Sequence, residues 1–157
     1  MQENYLISII GRQKIDNETG EVEVTTLGTY VKKGDSRYIV YKEYDTEDTE
    51  NKKAAQTSVL KVDGDSKVTL MRGGAGSTRL ILERGKRHLC PYDTGYGCMM
   101  IGVFTSKVKS ELDDLGGRLE VNYTLDINAS LSSLNEILIT VKEAKTKDVK
   151  TSVSSDQ

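Results

Sequence analysis

Apolar and polar residues alternate along most of this chain, with the period of a β-strand rather than a helix. Tyr5, Ile7 and Ile9 open the series, and Asp16-Asn17-Glu18-Thr19-Gly20 reads as a turn. Val22, Val24 and Thr26 then alternate with Glu21, Glu23 and Thr25. Lys33-Gly34-Asp35 turns the chain into Tyr38, Val40, Lys42 and Tyr44. The charged, apolar-free run Asp45–Lys53 predicts a solvated loop. Val59–Val62 and Val68–Met71 flank Asp63-Gly64, a pair that predicts a two-residue hairpin. Gly73-Gly74-Ala75-Gly76 separates these from Thr78, Leu80 and Leu82, and Arg84-Gly85-Lys86 turns the chain into Arg87–Cys90. After a corner at Gly95-Tyr96-Gly97, a long segment runs from Cys98 to Leu112. Leu119, Val121, Tyr123, Leu125 and Ile127 give the cleanest alternation, and Ile137, Ile139 and Val141 close the series.

One segment fits two periods. Phe104, Val108, Leu112 and Leu115 have helical spacing, with Gly116 placed as a C-terminal cap. Phe104, Val108 and Leu112 also share one face of a strand, which leads into Gly116-Gly117 as a hairpin turn. The strand is the preferred reading. Eight to ten short strands with tight connections predict an all-β, antiparallel up-and-down meander, closed as a barrel ahead of a sandwich. Closure removes exposed strand edges. The barrel is expected over residues 1–144, with a polar, disordered tail over 145–157.

At 157 residues the length favours one domain. Hydrophobic residues make up 36% and charged residues 29%, a balance that suits a barrel one residue thick. The net charge of −2 points to neither nucleic acid nor an anionic membrane. Met1-Gln2-Glu3-Asn4 lacks the basic and apolar regions of a signal peptide, so a cytoplasmic location is expected. Cys90 and Cys98 agree with a reducing compartment, and a disulfide between them is not expected. Eight Tyr, one Phe and no Trp leave few stacking platforms for nucleic acid beyond tyrosine.

Several stretches resemble a known family. Thr78–Gly85 with Arg87-His88, Ile101–Thr105, Gly116-Gly117 and Tyr123–Asn128 are similar, in order and spacing, to the YwiB-like family of uncharacterised bacterial proteins. The likeness runs from about residue 4 to residue 144. It implies a calycin-like barrel, of the kind seen in lipocalins and fatty-acid-binding proteins, in a bacterial cytosol. It implies no activity and carries over no catalytic residue.

The candidate chemistry is sparse. The glycine run at 73–76 lacks the Lys-Ser/Thr of a phosphate loop and reads as a strand connection. Between Lys61 and His88 seven cations face three anions, while residues 1–60 carry eight cations against eleven anions. If Val68 and Leu70 face the core, the period of two sends Arg72 inward; if Leu89 does, Arg87 follows. Two arginines at one barrel mouth would grip a carboxylate or phosphate. Pairing with Glu83, Asp93 or Asp126 is the plainer alternative. His88, the only histidine, excludes a multi-histidine metal site. With Cys90 at i+2 it shares one strand face, where a small buried thiol beside a partnered histidine is simpler than a metal or nucleophile site.

Tyr92 and Thr94 lie in the loop that follows. With Arg72, Arg87, His88 and Tyr123 they make up the candidate ligand site. No catalytic residue, metal or cofactor is assigned. The leading expectation is a non-enzymatic barrel that binds a small anionic or amphipathic molecule at one end. The alternative is a module that docks protein or RNA on its outer surface. An enzyme using His88 with Tyr92 or Asp93 ranks third.

Overall fold

In a computed structural model of the protein, every regular element among the described residues is a β-strand. Those residues are 4–43, 56–73, 78–93, 97–128 and 130–144. The strands are β1 (Tyr5–Ile15), β2 (Glu18–Lys33), β3 (Ser36–Glu43), β4 (Gln56–Asp63) and β5 (Lys67–Arg72). They continue as β6 (Thr78–Glu83), β7 (Arg87–Asp93), β8 (Cys98–Asp113), β9 (Gly116–Ile127) and β10 (Ser130–Glu143). The predicted loop at 45–53, Gly74–Gly76, Gly95-Tyr96 and the tail at 145–157 lie outside the described residues.

The ten strands form one antiparallel sheet in the order β6-β5-β4-β3-β2-β1-β10-β9-β8-β7. It is a meander curled into a nearly closed barrel, the architecture expected of a calycin-like fold. The first and last strands zip together along ten residue pairs, Tyr5↔Glu143 to Lys14↔Leu134. The gap in the ladder falls instead in mid-chain, between β6 and β7. This seam is bridged rather than open. Gly85 N–H donates to the Thr105 carbonyl at 2.7 Å, and Ile81 N–H donates to Cys90 Sγ at 3.5 Å. His88 Nε2 and Glu83 Oε1 lie 2.8 Å apart across it. Both sheet edges are therefore covered.

Period-two patterning explains the core. Ile7, Ile39, Leu82, Leu119, Ile139, Val62, Val68, Val103, Val121 and Val141 are fully buried inside the barrel. Burying each such side chain contributes about 1.5–3 kcal/mol. The wall is uneven: β8, β2 and β10 have 16, 16 and 14 residues, whereas β5 and β6 have 6 each. At about 3.3 Å per residue the tall strands reach roughly 50 Å and the short ones roughly 20 Å. The outer half of the β1–β2 hairpin stands clear of the core and is exposed.

Several local expectations change; Tyr92, for one, lies in β7 and pairs with Met99 rather than sitting in the loop after it. The β1–β2 turn is confined to Asp16-Asn17, and Glu18–Gly20 already belong to β2. The turn at Asp63-Gly64 is a three-residue loop, because Asp63 pairs with Lys67. β8 is a strand, but a bulge between Thr105 and Lys107 switches its faces. Thr105 and Val108 are buried and Phe104 is exposed, so Phe104 and Val108 do not share a face. Gly116-Gly117 is not the turn, which is Asp114-Leu115, but the first pair of β9. Both have φ near +130° (+124° and +133°) and lie against backbone of β10 and β8 respectively. No side chain fits there.

Candidate functional site

In a meander, successive connections alternate between the two ends of the barrel. β1/β2, β3/β4, β5/β6, β7/β8 and β9/β10 are joined at one end, here the mouth; the remaining pairs are joined at the floor. Tyr30 closes the floor. Its hydroxyl donates to the Asp113 carbonyl at 2.7 Å, linking β2 to the end of β8. Tyr5 meets its ring edge-on at 5.4 Å, and the Arg37 guanidinium lies 6.0 Å from the ring centre.

Towards the mouth the inward face turns polar. Tyr41, Ser58, Arg72 and Thr78 form one rung across β3, β4, β5 and β6. Directly beneath it lies an apolar rung of Ile39, Leu60, Leu70 and Leu80, all buried. Arg72 thus continues the inward parity of Val68 and Leu70, as the alternation predicts. Tyr41 and Ser58 are buried. On the tall wall, Tyr123 points inward beside Asn135, its partner on β10. Asn135 Nδ2 donates to Ser133 Oγ at 2.9 Å, and Gln13 Nε2 donates to Asn135 Oδ1 at 3.2 Å. Burial pushes the Tyr123 phenol up from its ordinary pKa; the Arg72 charge opposes this and Tyr92 adds to it. By parity and register Arg72 on β5, Tyr92 on β7 and Tyr123 on β9 all lie on the inward face towards the mouth.

Arg87 is not part of that group. Leu89 points outward, 61% exposed, and Arg87 goes with it. Arg87 also starts β7 at the floor end, whereas Arg72 ends β5 at the mouth. Asp126 holds Arg87 from β9, with Nε–Oδ2 at 3.0 Å and Nη2–Oδ1 at 2.6 Å. The inward residues of β7 are His88, Cys90 and Tyr92. His88 is engaged by Glu83 at the seam, and its hydrogen bond, followed by the charge of Lys86, holds the Glu83 carboxyl below its ordinary pKa against the opposing effect of burial. Cys90 is buried and Cys98 exposed, and both are free thiols. Among the described residues no three His, Cys, Asp or Glu side chains converge as a metal would require. Thr94 lies outside the described residues.

Two features escape the sequence pattern. One is the polar rung itself: the alternation picked out Tyr38, Val40 and Lys42 on β3, whereas Ile39 and Tyr41 are the buried residues, and the place of Tyr41 on the rung of Arg72 requires the strand register. The other is a floor cleft of about 240 Å³, lined by Lys32, Asp35, Arg37, Asp65 and Ser110 among others. Its charges are already committed in part, since Arg37 pairs with Asp114 at 3.1 Å and Asp65 accepts Ser110 N–H at 2.7 Å.

A family model described as a domain of unknown function (DUF1934) matches residues 7–139. The chain belongs to the DUF1934 family. The crystal structure of the ywiB protein from Bacillus subtilis is similar to this DUF1934 chain, with a TM-score of 0.77 at 20% identity. The likeness covers 91% of this chain and 93% of that one. At such identity it establishes the fold, and it agrees with the YwiB-like resemblance of the sequence. No curated protein matches the DUF1934 chain. Among its described residues no helix is long and apolar enough to cross a membrane.

Proposed function

We propose that the barrel is a non-enzymatic binding protein whose mouth takes a small anionic molecule, with Arg72 as the charge that holds it. The observation that carries this reading is the inward polar rung Tyr41–Ser58–Arg72–Thr78, at the same end of the barrel as the inward Tyr123 and Tyr92 and next to the buried Leu70 and Leu80. An acid head group would sit on Arg72 and the tyrosine hydroxyls, and an apolar portion would rest on the leucines below. Beneath the rung lies a core of buried apolar side chains, so the reading places the ligand at the rim. A charge-assisted hydrogen bond of this kind contributes about 1.5–3 kcal/mol.

Thermal melts with inorganic phosphate, succinate and octanoate test the reading. At least one should raise the melting temperature of the wild type, and Arg72→Met should remove that rise. No rise with any of the three, or a rise that survives Arg72→Met, would overturn it.

A further inference from the structure

At the floor of the barrel, the last rung of the short wall joins Lys32 on β2 to Arg37 on β3 and Val62 on β4. Lys32 and Arg37 are direct cross-strand partners, and two like charges opposite one another are unfavourable unless something neutralises them. Asp114 does so in part, accepting from Arg37 Nη1 at 3.1 Å, but its own side chain is 83% exposed. Nη1 also donates to the Tyr30 hydroxyl at 3.3 Å. These two bonds hold a guanidinium that is only 19% exposed. Among the described residues its Nε and Nη2 make no hydrogen bond, and Lys32 makes no ion pair.

This rung forms one side of the floor cleft, whose volume is about 240 Å³. Ser110 and Leu112 on β8 form the other, and two turns add carboxylates: Asp35 between β2 and β3, and Asp65 between β4 and β5. Asp65 Oδ1 accepts Ser110 N–H at 2.7 Å, which ties its turn to β8 and leaves Oδ2 without a partner among the described residues. Val62 is buried and Leu112 half-buried, and together they supply an apolar surface. Two cations, two carboxylates and that surface thus share one space. A simple anion there meets Asp35 and Asp65, and a simple cation meets Lys32 and Arg37. A molecule carrying both charges finds a partner for each. The volume lies below the roughly 300–1,000 Å³ of drug-sized pockets, so the occupant is small.

We infer that the floor cleft binds a small zwitterion of the α-amino-acid kind, independently of the mouth. The ligand carboxylate takes Arg37 and Lys32, the planar guanidinium offering Nε and Nη2 as a fork. The ligand ammonium takes Asp65 Oδ2 and the Asp35 carboxylate. An apolar side chain of the ligand rests on Val62 and Leu112.

An NMR titration of the full chain with L-leucine tests the inference, following arginine Nε–H signals alongside the backbone. Saturable shifts are expected at Arg37, Asp65 and Ser110, with Arg72 unmoved. Leucinamide lacks the carboxylate and isocaproate lacks the ammonium, so each should bind the cleft roughly ten-fold or more weakly than leucine. Phosphate and octanoate should leave these signals in place. Lys32→Gln and Asp65→Asn replace exposed side chains, and the asparagine can still accept Ser110 N–H. Both should keep the fold by circular dichroism, while each weakens leucine binding by roughly ten-fold. Arg72→Met should bind leucine as the wild type does, which separates this site from the mouth. The inference is overturned by the absence of a saturable leucine shift at the floor, or by leucinamide or isocaproate binding there as well as leucine. Leucine binding that ignores both Lys32→Gln and Asp65→Asn, or that Arg72→Met abolishes, would equally overturn it.

Discussion

Gly117→Ala puts the tight start of β9 to a quantitative test. The residue has φ +133°, a region in which a side chain is strained, and this alone costs about 1–3 kcal/mol. An added Cβ would also sit 3.0 Å from the carbonyl carbon of Glu111 and 3.1 Å from Leu112 Cα, with the Glu111 oxygen closer still. These atoms are backbone of the paired strand, so they yield only by distorting β8, at about 1–3 kcal/mol more. The sum is about 2–6 kcal/mol, a large share of the roughly 5–15 kcal/mol that stabilises a domain. At about 2–4 °C per kcal/mol for a chain of this size, the melting temperature should fall by roughly 5–20 °C. Two other glycines separate the contributions. Gly64 has φ +61° and open space around it, so Gly64→Ala should cost only about 1–2 kcal/mol of conformational strain. Gly102 needs no unusual φ, and a side chain there would displace only the ends of Arg87 and Asp126, a surface pair that contributes little to stability. Calorimetry or urea unfolding should rank the losses Gly117→Ala, then Gly64→Ala, then Gly102→Ala. A Gly117→Ala protein no less stable than Gly64→Ala would refute the close β8–β9 approach.

Two further outcomes follow from the seam. Thr105 is fully buried beside the bulge and its hydroxyl has no partner among the described residues, so Thr105→Val should raise stability by about 1–2 kcal/mol; a lowered urea midpoint would contradict this. Glu83 is held below its ordinary pKa of 4.5, chiefly by the His88 hydrogen bond, so it stabilises the fold above that range and loses the contribution as pH falls through its depressed value. Thermal melts from about pH 6 to about pH 3 should therefore show a steeper loss for the wild type than for Glu83→Gln, and equal slopes would dismiss the His88–Glu83 latch.

The strands and their meander were legible because alternation with period two is a local signal, and the turn residues punctuate it. Arg72 was legible for the same reason: Val68, Leu70 and Arg72 share a face with nothing between them to break the count. The count fails where something interrupts it or where both faces look apolar. Leu89 and Cys90 are adjacent and both apolar, so the residues alone did not say that Cys90 takes the core and Leu89 the solvent; Arg87 followed the wrong neighbour. The bulge at Thr105–Lys107 displaces Phe104 in the same way, and a bulge of ordinary residues leaves no mark in the sequence. That Arg72 and Arg87 sit at opposite ends of their strands does follow from the meander, since one precedes the β5/β6 connection and the other follows the β6/β7 connection. The position of the seam follows from neither period nor turns, because it depends on where curvature brings the last rungs together.

The mouth, through Arg72, is where we propose that this barrel binds an anion. Its most direct test is an NMR titration of the wild type with phosphate and with octanoate, following arginine Nε–H and tyrosine ring signals alongside the backbone. Binding at the mouth predicts shifts concentrated on Arg72, Tyr92, Tyr123 and the Tyr41–Ser58 rung, with Arg37 and Arg87 unmoved. Shifts centred on the floor cleft around Lys32 and Arg37, or no saturable shift with either probe, would contradict it.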